Sequence, residues 1–197
     1  MGRLREFDVD QALDAALQVF WKKGYDGASL DDLTEAMGIN RPSLYSAFGN
    51  KESLFCKALA RYREGPAAYV RNAVAAPTAR EVFERLLRGA VDLMTDPNHP
   101  RGCLIVQGGL TCAGDSDRIR GEIKKMRESA VAAIRKRLQQ AKAAGELTPE
   151  AVPADIARYI KTLINGLSIQ AASGATRVQL RKVAEMSLNA LINSFIR

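Results

Sequence analysis

Apolar residues recur every three or four positions along almost the whole chain, and no segment alternates convincingly as a strand would. Residues that cap helices, followed by an apolar stripe and a glycine, divide this pattern into about nine helices. Three helices end near residue 50, and mostly longer ones follow. The sequence therefore predicts an all-α protein with an N-terminal three-helix domain over residues 1–50, joined through a long helix to a helical domain over residues 51–197.

Capping signals mark the predicted starts of several helices. Capping boxes or single caps occur at Ser29, Asn40, Asn50, Thr78 and Thr176. The pair Gly65-Pro66 should kink or divide the fourth helix, because proline cannot continue the hydrogen-bond ladder. Gly38-Ile39-Asn40 forms a tight turn between two short helices. Residues 29–51 are therefore predicted to form a helix-turn-helix.

The third helix has an outward face that suits the major groove of DNA. With Leu44 turned inward, Pro42, Tyr45 and Ser46 fall on or beside the opposite face, and Ser43 lies on its flank. No carboxylate occurs from residue 41 to residue 49. Short side chains permit close approach to base edges, and a carboxylate would be repelled by phosphates.

The segment from Ala12 to Tyr62 closely resembles the N-terminal domain of TetR-family transcriptional regulators. The matching residues include Gly24-Tyr25, Ser29-Leu30, Ala36-Met37-Gly38-Ile39, Arg41-Pro42-Ser43-Leu44-Tyr45, Phe48 and Asn50-Lys51. The rest of the chain matches only in its helix layout. The resemblance implies a homodimer that binds a palindromic double-stranded operator, most often as a repressor, and is released by a small molecule bound in the C-terminal domain.

The resemblance also implies residue roles in DNA binding. Base-edge contacts are expected from Arg41, Pro42 and Ser43, and phosphate contacts from Ser29, Tyr45 and Lys51. Ser46 should also face the DNA, although Ser46 and Ala47 are smaller than the residues common there, which leaves the operator sequence open.

The last two predicted helices have apolar faces wider than one neighbouring helix requires, which predicts a second buried surface. The resemblance places a four-helix dimer interface there. The expected interface residues are Ile160, Ile164, Leu167, Leu188, Leu191, Ile192 and Phe195. Packing inside one chain is the alternative explanation for part of each stripe.

An effector pocket is implied mainly by the resemblance. The residues expected to line it are Tyr62, Tyr69, Phe83, Cys103, Val106, Gln107, Leu110, Met126, Tyr159, Leu163 and Gly166. This mostly apolar set favours an uncharged or aromatic effector. Cys103 has an alternative role as a redox or electrophile sensor, because it follows Arg101-Gly102 at a predicted helix start and both features lower a thiol pKa.

The candidate chemistry argues against an enzyme. His99 is the only histidine, which excludes Ser-His-Asp hydrolysis and zinc sites that need two histidines, and it lies in a proline-rich loop. The sequence has no cofactor-binding motif, so no cofactor or metal is expected. A helical protein-protein adaptor remains the alternative from another functional class.

Composition predicts the cellular compartment, and the distribution of charged residues limits what the net charge says about DNA binding. Three cysteines without CxxC spacing, no signal peptide and no membrane-length apolar run predict a reduced, cytoplasmic protein. The net charge of +7 suggests a polyanionic partner. However, residues 1–64 hold nine basic and ten acidic side chains, whereas residues 118–142 hold nine and two. That basic stretch is expected to be a solvated helix face, so the DNA argument depends on local placement instead.

Overall fold

The computed structural model describes residues 7–111 and 117–197, with backbone alone for residues 109–111. Its helices are α1 (Val9–Gly27), α2 (Leu30–Met37), α3 (Arg41–Phe48), α4 (Lys51–Glu64), α5 (Tyr69–Val74), α6 (Ala79–Met94), α7 (Leu104–Thr111), α8 (Asp117–Ala143), α9 (Pro153–Ala172) and α10 (Arg177–Phe195). A 3₁₀ turn over Pro66–Ala68 lies between α4 and α5. Within the described ranges there is no strand, only an isolated antiparallel bridge between Leu147 and Ile196. The predicted all-α class is confirmed.

The structure has ten α-helices in its described ranges, where the sequence indicated about nine. The difference lies at Gly65, whose N–H closes α4 by donating to Arg61 O at 2.9 Å. The chain then passes through the turn at Pro66 and forms α5 as a separate helix. The predicted start of the long helix at Asp115 or Ser116 lies outside the described residues.

The predicted caps are present and explain where the helices begin. Ser29 and Thr176 each form a complete capping box, with Asp32 and Gln179 as the reciprocal partners. Thr78 accepts a hydrogen bond from the N–H of Glu81 at 3.2 Å. These caps satisfy backbone donors that a helix start leaves free, so they can be recognised from a few adjacent residues.

The first hydrophobic core surrounds Phe20, Trp21 and Phe55 and joins α1 through α4. It continues beyond residue 50, because α4 contributes buried residues as far as Tyr62 and the start of α8 contributes Ile119 and Ile123. The helix-turn-helix is thus packed directly on helices of the C-terminal part of the chain.

The second core lies among α6, the latter part of α8, α9 and α10. Phe83, Leu86 and Leu87 of α6 are fully buried in it, as are Ile134 and Leu138 of α8. Helix α9 packs on α6, α8 and α10 together. It is therefore enclosed on several sides within a single chain.

Candidate nucleic-acid interface and interior polar cluster

The turn between α2 and α3 has the geometry of a helix-turn-helix. Helix α2 ends at Gly38, whose φ of 65° lies in the left-handed region that glycine adopts without steric cost. Asn40 then caps α3 by accepting a hydrogen bond from the N–H of Ser43 at 2.9 Å. Leu44 and Phe48 are buried in the first core. These two anchors fix which face of α3 points to solvent.

The outward face of α3 is small, polar and free of carboxylates. Arg41, Pro42, Tyr45 and Ser46 are exposed, and Ser43 is half-buried. The ring of Tyr45 keeps 48% of its surface accessible although it is a large aromatic side chain. The structure therefore brings together the five α3 residues that the sequence indicated for DNA binding.

Arg41 already has a partner in the free protein. Its Nη2 atom lies 2.7 Å from Oδ1 of Asp31 on α2, and both side chains are largely exposed. The ion pair raises the pKa of Arg41 further, so its charge is constant. Binding to a guanine edge would require Arg41 to leave Asp31.

Ser29 stands at the start of α2, as expected for a phosphate contact, but its polar groups are occupied. Its hydroxyl accepts from the N–H of Asp32 at 3.0 Å, and its own N–H donates to the Asp32 carboxylate at 2.9 Å. Asp32 also pairs with Lys23 at 2.5 Å. The hydrogen bond from Lys23, aided by those from Ser29, lowers the pKa of Asp32 to about 2. In the free protein, the Ser29 hydroxyl and the N–H groups of Ser29 and Asp32 are therefore used within the capping box.

Lys51 begins α4 at the other edge of the helix-turn-helix. Asn50 caps this helix by accepting from the N–H of Ser53 at 2.8 Å. The ammonium of Lys51 lies 4.6 Å from the ring centroid of Tyr25 and is half-buried. A cation over an aromatic face is attracted by the ring quadrupole, so Tyr25 holds Lys51 beside the N-terminus of α4.

A second polar site lies inside the chain around Cys103. The hydroxyl of Tyr62 lies 3.2 Å from Cys103 Sγ, and the N–H of Cys103 donates to the Ser168 hydroxyl at 2.9 Å. Burial raises the pKa of both Tyr62 and Tyr69, so both phenols stay neutral donors. Cys103 is half-buried and directly precedes α7, as expected, but Arg101 points away and donates to Ala175 O.

This cluster is connected to α1 through the loop before α7. Nε1 of Trp21 donates to the carbonyl of Gly102 at 3.3 Å, and its ring stacks on His99 with centroids 5.1 Å apart. Trp21 also contacts the ring of Tyr62 edge-on. Gly102 has φ 90°, and a Cβ there would lie 2.4 Å from Nε2 of Gln107. The Gln107 side chain could move aside, but a φ of 90° is one that residues with a Cβ rarely adopt, so glycine suits this position.

Two family models match the chain. Residues 12–57 match the model described as bacterial regulatory proteins, tetR family. Residues 79–185 match the model described as the tetracyclin repressor-like C-terminal domain. The chain belongs to the TetR family. It is a transcriptional regulator and not an enzyme, and the predicted resemblance is confirmed.

Full-length relatives agree with the family assignment. The chain is 32% identical to the HTH-type transcriptional repressor ComR of Escherichia coli over 95% of this chain and 90% of ComR. It is 31% identical to the uncharacterised regulator YezE of Bacillus subtilis over 97% of this chain and 100% of YezE. A solved structure of the TetR-family regulator CifR, a cysteine mutant with 26-bp operator DNA, has TM-score 0.90 and 42% identity, covering 95% of this chain and 99% of that chain.

The residues expected to line an effector pocket separate into an interior and an exterior group. Tyr62, Phe83 and Val106 are buried, and half-buried positions are held by Tyr69, Cys103, Gln107 and Met126. By contrast, Tyr159, Leu163 and Gly166 line open grooves on the outer side of α9. The side chain of Leu110 lies outside the described residues. A single pocket therefore does not unite the predicted set.

The structure also revises which residues of α9 and α10 face outward. Five of the seven predicted interface residues are buried within the chain itself: Ile160, Ile164, Leu167, Leu188 and Leu191. Ile192 and Phe195 are half-buried against the same core. These side chains pack within the chain, and Leu167, Leu191 and Phe195 also line the open grooves of α9 and α10. The apolar side chains that the two helices expose are different ones, among them Tyr159 and Val183.

Sequence reasoning missed four polar residues in the interior of this chain. Lys161, Asn165 and Ser168 lie on α9, and Arg127 lies on α8. The signal was present in the sequence, because positions 161, 165 and 168 recur at helical spacing and so lie on one side of α9.

The described part of the chain shows neither a membrane-spanning helix nor a metal site. No helix there combines the length and the apolarity that crossing a bilayer requires. In residues 7–111 and 117–197, no group of three histidine, cysteine, aspartate or glutamate side chains is arranged to hold a metal ion.

Proposed function

We propose that this chain is a repressor that binds a palindromic double-stranded operator as a homodimer and is released when a small molecule binds its C-terminal domain. The observation that carries the proposal is the exposed, carboxylate-free face of α3, held between buried anchors at Leu44 and Phe48. Such a face fits the major groove, where short side chains approach base edges.

Two side chains of α3 supply the chemistry for this role. Arg41 carries a planar guanidinium that can donate twice to guanine O6 and N7. Tyr45 projects a hydroxyl from the exposed face, within reach of the DNA backbone. At the flank, Lys51 places a positive charge beside the start of α4, where both the charge and the helix dipole favour a phosphate.

The relatives support operator binding and repression. CifR is described in complex with a 26-bp operator, and it is similar to this chain over nearly its full length. ComR is named a transcriptional repressor. We therefore expect a site of similar length, with two half-sites that face the same side of the duplex.

The outer surface of α9 and α10 supports a dimer. Tyr159, Leu163, Gly166 and Val183 line the grooves between these helices on the side away from the core. Apolar residues here would gain free energy on burial, and Gly166 permits close helix approach. A four-helix interface on this surface would set two copies of α3 about 34 Å apart, the spacing of successive major-groove faces.

The contact between Trp21 and Gly102 supports a route for effector release. The carbonyl of Gly102 is bound by α1, and the next residue, Cys103, is bound through its N–H to Ser168 of α9. A ligand that shifts α9 relative to this loop therefore acts on the helix that supports the helix-turn-helix. Release requires that the ligand prefer the conformation that cannot bind DNA.

The test combines selection of DNA with measurement of the assembly. Binding to a random-sequence DNA pool followed by sequencing should recover a palindrome, and sedimentation velocity should show two protomers. Val183→Glu should yield monomers with at least tenfold weaker operator binding, because the new carboxylates would be buried in the interface. Val178→Glu, on an exposed part of α10 that lines neither groove, is the matched control. Recovery of no preferred sequence at any salt concentration would contradict the proposal.

One contact favours a second way in which the protein could be released from its operator, through the thiol of Cys103. The Tyr62 hydroxyl is directed at its sulfur, whereas Cys56 is a half-buried thiol whose pKa is raised by burial. If Cys103 is the sensing thiol, a thiol-reactive probe should label it faster than Cys56 in the folded protein. Equal or slower labelling of Cys103 would exclude this route.

A further inference from the structure

We infer that the interior cluster around Lys161 and Arg127 binds an anionic group, so that the effector is a small organic acid. This inference rests on the proposed function, since it names the ligand class of the proposed effector site. It replaces the uncharged effector that the predicted apolar lining favoured.

Lys161 is the first observation. Its side chain is half-buried on α9 and makes no hydrogen bond or ion pair with any side chain that the structure describes. Burial lowers the pKa of Lys161, the charge of Arg127 lowers it further, and Cys103 acts in the opposite direction. An ammonium removed from water without a partner costs free energy, which a bound anion would offset.

Arg127 is the second observation. Its Nη2 atom donates to the carbonyls of Ile105 and Val106 at 2.8 and 3.0 Å, which fixes the guanidinium against α7. Its Nε atom is buried and has no acceptor in the described part of the chain. Neither cation is paired with a carboxylate among residues 7–111 and 117–197. The cluster is therefore positively charged and incompletely satisfied.

The neighbouring polar atoms indicate what accompanies the anionic group. Oδ1 of Asn165 is buried without a donor among the described residues, and Asn165 lies one helical turn from Lys161 on α9. An unpaired buried acceptor is costly and rare in folded proteins. An acid that also carries a hydroxyl or amide N–H would supply an anion for Lys161 and Arg127 and a donor for Asn165.

The position of the cluster also fits control of DNA binding. Ser168 follows Lys161 by seven residues, on the same side of α9, and accepts the hydrogen bond from Cys103. An acid that engages Lys161 therefore acts on the helix that holds the loop at Trp21. Arg127 connects the same site to α7 through two carbonyls.

The experiment compares acids with their uncharged amides on the full chain. The pairs are hydroxy acids and their amides, namely glycolate and glycolamide, mandelate and mandelamide, salicylate and salicylamide, and 3-hydroxybutyrate and its amide, at constant ionic strength and pH. The thermal midpoint Tm and the emission of Trp21 are both recorded. We expect at least one acid to raise Tm more than its amide does, by about 5–10 °C at 100 times its Kd.

Variants assign the effect to the cluster. Lys161→Met should abolish the difference between acid and amide, and Lys161→Arg should retain it. Lys125→Met, on the exposed side of α8, should behave as the unmodified chain. Without ligand, Lys161→Met should melt at or above the Tm of the unmodified chain, because it removes an unpaired charge.

The outcomes separate this inference from the proposed function. If no acid exceeds its amide, or if Lys161→Met keeps the difference, the inference is overturned. Operator binding without ligand is measured separately by fluorescence anisotropy. Sequence-specific binding together with acid-independent melting overturns only the anionic effector. Absent operator binding overturns the proposed function, while an acid-specific rise in Tm would still support the anion site.

Discussion

Replacing Asp31 by asparagine should tighten operator binding through its effect on Arg41. In the free protein the Arg41 guanidinium is held 2.7 Å from the Asp31 carboxylate. DNA binding requires this pair to separate before the guanidinium can donate to a base edge. Asp31→Asn keeps the shape of the side chain but removes the charge that competes with DNA, so the bound state becomes relatively more favourable.

The solvent exposure of the Arg41–Asp31 ion pair limits the expected gain in operator affinity. The side chains of Arg41 and Asp31 are 54% and 78% exposed, so water and salt screen their attraction. Exposed pairs of this kind change an equilibrium constant by a factor of about 1–5. With two subunits on one operator, the expected gain in affinity reaches at most about 25-fold. It should decrease as salt is added.

A double-mutant cycle tests the reasoning. Operator affinity is measured by fluorescence anisotropy for Asp31→Asn, Arg41→Ala and the double variant, with Glu128→Gln as a control for an exposed, ion-paired carboxylate on α8. The gain from Asp31→Asn should vanish when Arg41 is absent. Weaker binding by Asp31→Asn would refute the argument, because it would mean that Asp31 positions Arg41 for DNA. An equal gain in both backgrounds would show that Asp31 acts on phosphates directly.

Other variants test the remaining parts of the surface and its support. Tyr45→Phe should lower operator affinity about tenfold with unchanged Tm, since only an exposed hydroxyl is lost; unchanged affinity would remove Tyr45 from the contacts. Lys51→Met should reduce the slope of log K against log salt by about 0.9 per subunit, and an unchanged slope would argue against a phosphate contact. Asp32→Asn should lower Tm at pH 7. Because the folded pKa of Asp32 is depressed to about 2, this difference should shrink as pH falls from about 4 towards 2, and a constant difference would contradict it. Trp21→Phe should reduce the free energy of unfolding by about 1–3 kcal/mol, because the buried carbonyl of Gly102 loses its donor; the loss is measured by urea denaturation followed by circular dichroism, since no other tryptophan is present.

The features that could be predicted from sequence are those decided by adjacent residues. The box formed by Ser29 and Asp32 and the cap at Asn40 require only side chains that reach backbone N–H groups two or three positions ahead. The outward face of α3 follows from helical geometry once Leu44 is recognised as buried. These local rules hold whatever the rest of the chain does, so the helix-turn-helix could be derived in detail.

The residues available for the proposed dimer interface could not be derived in the same way. Ile160, Ile164 and Leu167 form an apolar stripe that is wider than one neighbour requires, but α9 has four neighbours in its own chain, α6, α7, α8 and α10. An apolar stripe predicts how much of a helix surface is buried, but it does not predict whether the same chain or a second chain buries it. The residues left outside, such as Tyr159 and Val183, were recognisable only when the positions of α6, α8 and α10 were known.

The basic residues of α8 show a similar limit, because the net charge of a segment does not reveal which of its side chains face solvent. Residues 118–142 hold nine basic and two acidic side chains, which suggested a solvated face. Two of those basic residues instead turn inward and bind backbone carbonyls, Arg127 on α7 and Arg137 at Ala76 and Pro77. A guanidinium used in this way donates to backbone carbonyls and still retains its charge. Arg127 lies beside Lys161, and its buried Nε has no acceptor among the described residues. Part of the chain's positive charge therefore lies inside the molecule, where it supports the proposed anionic ligand rather than DNA binding.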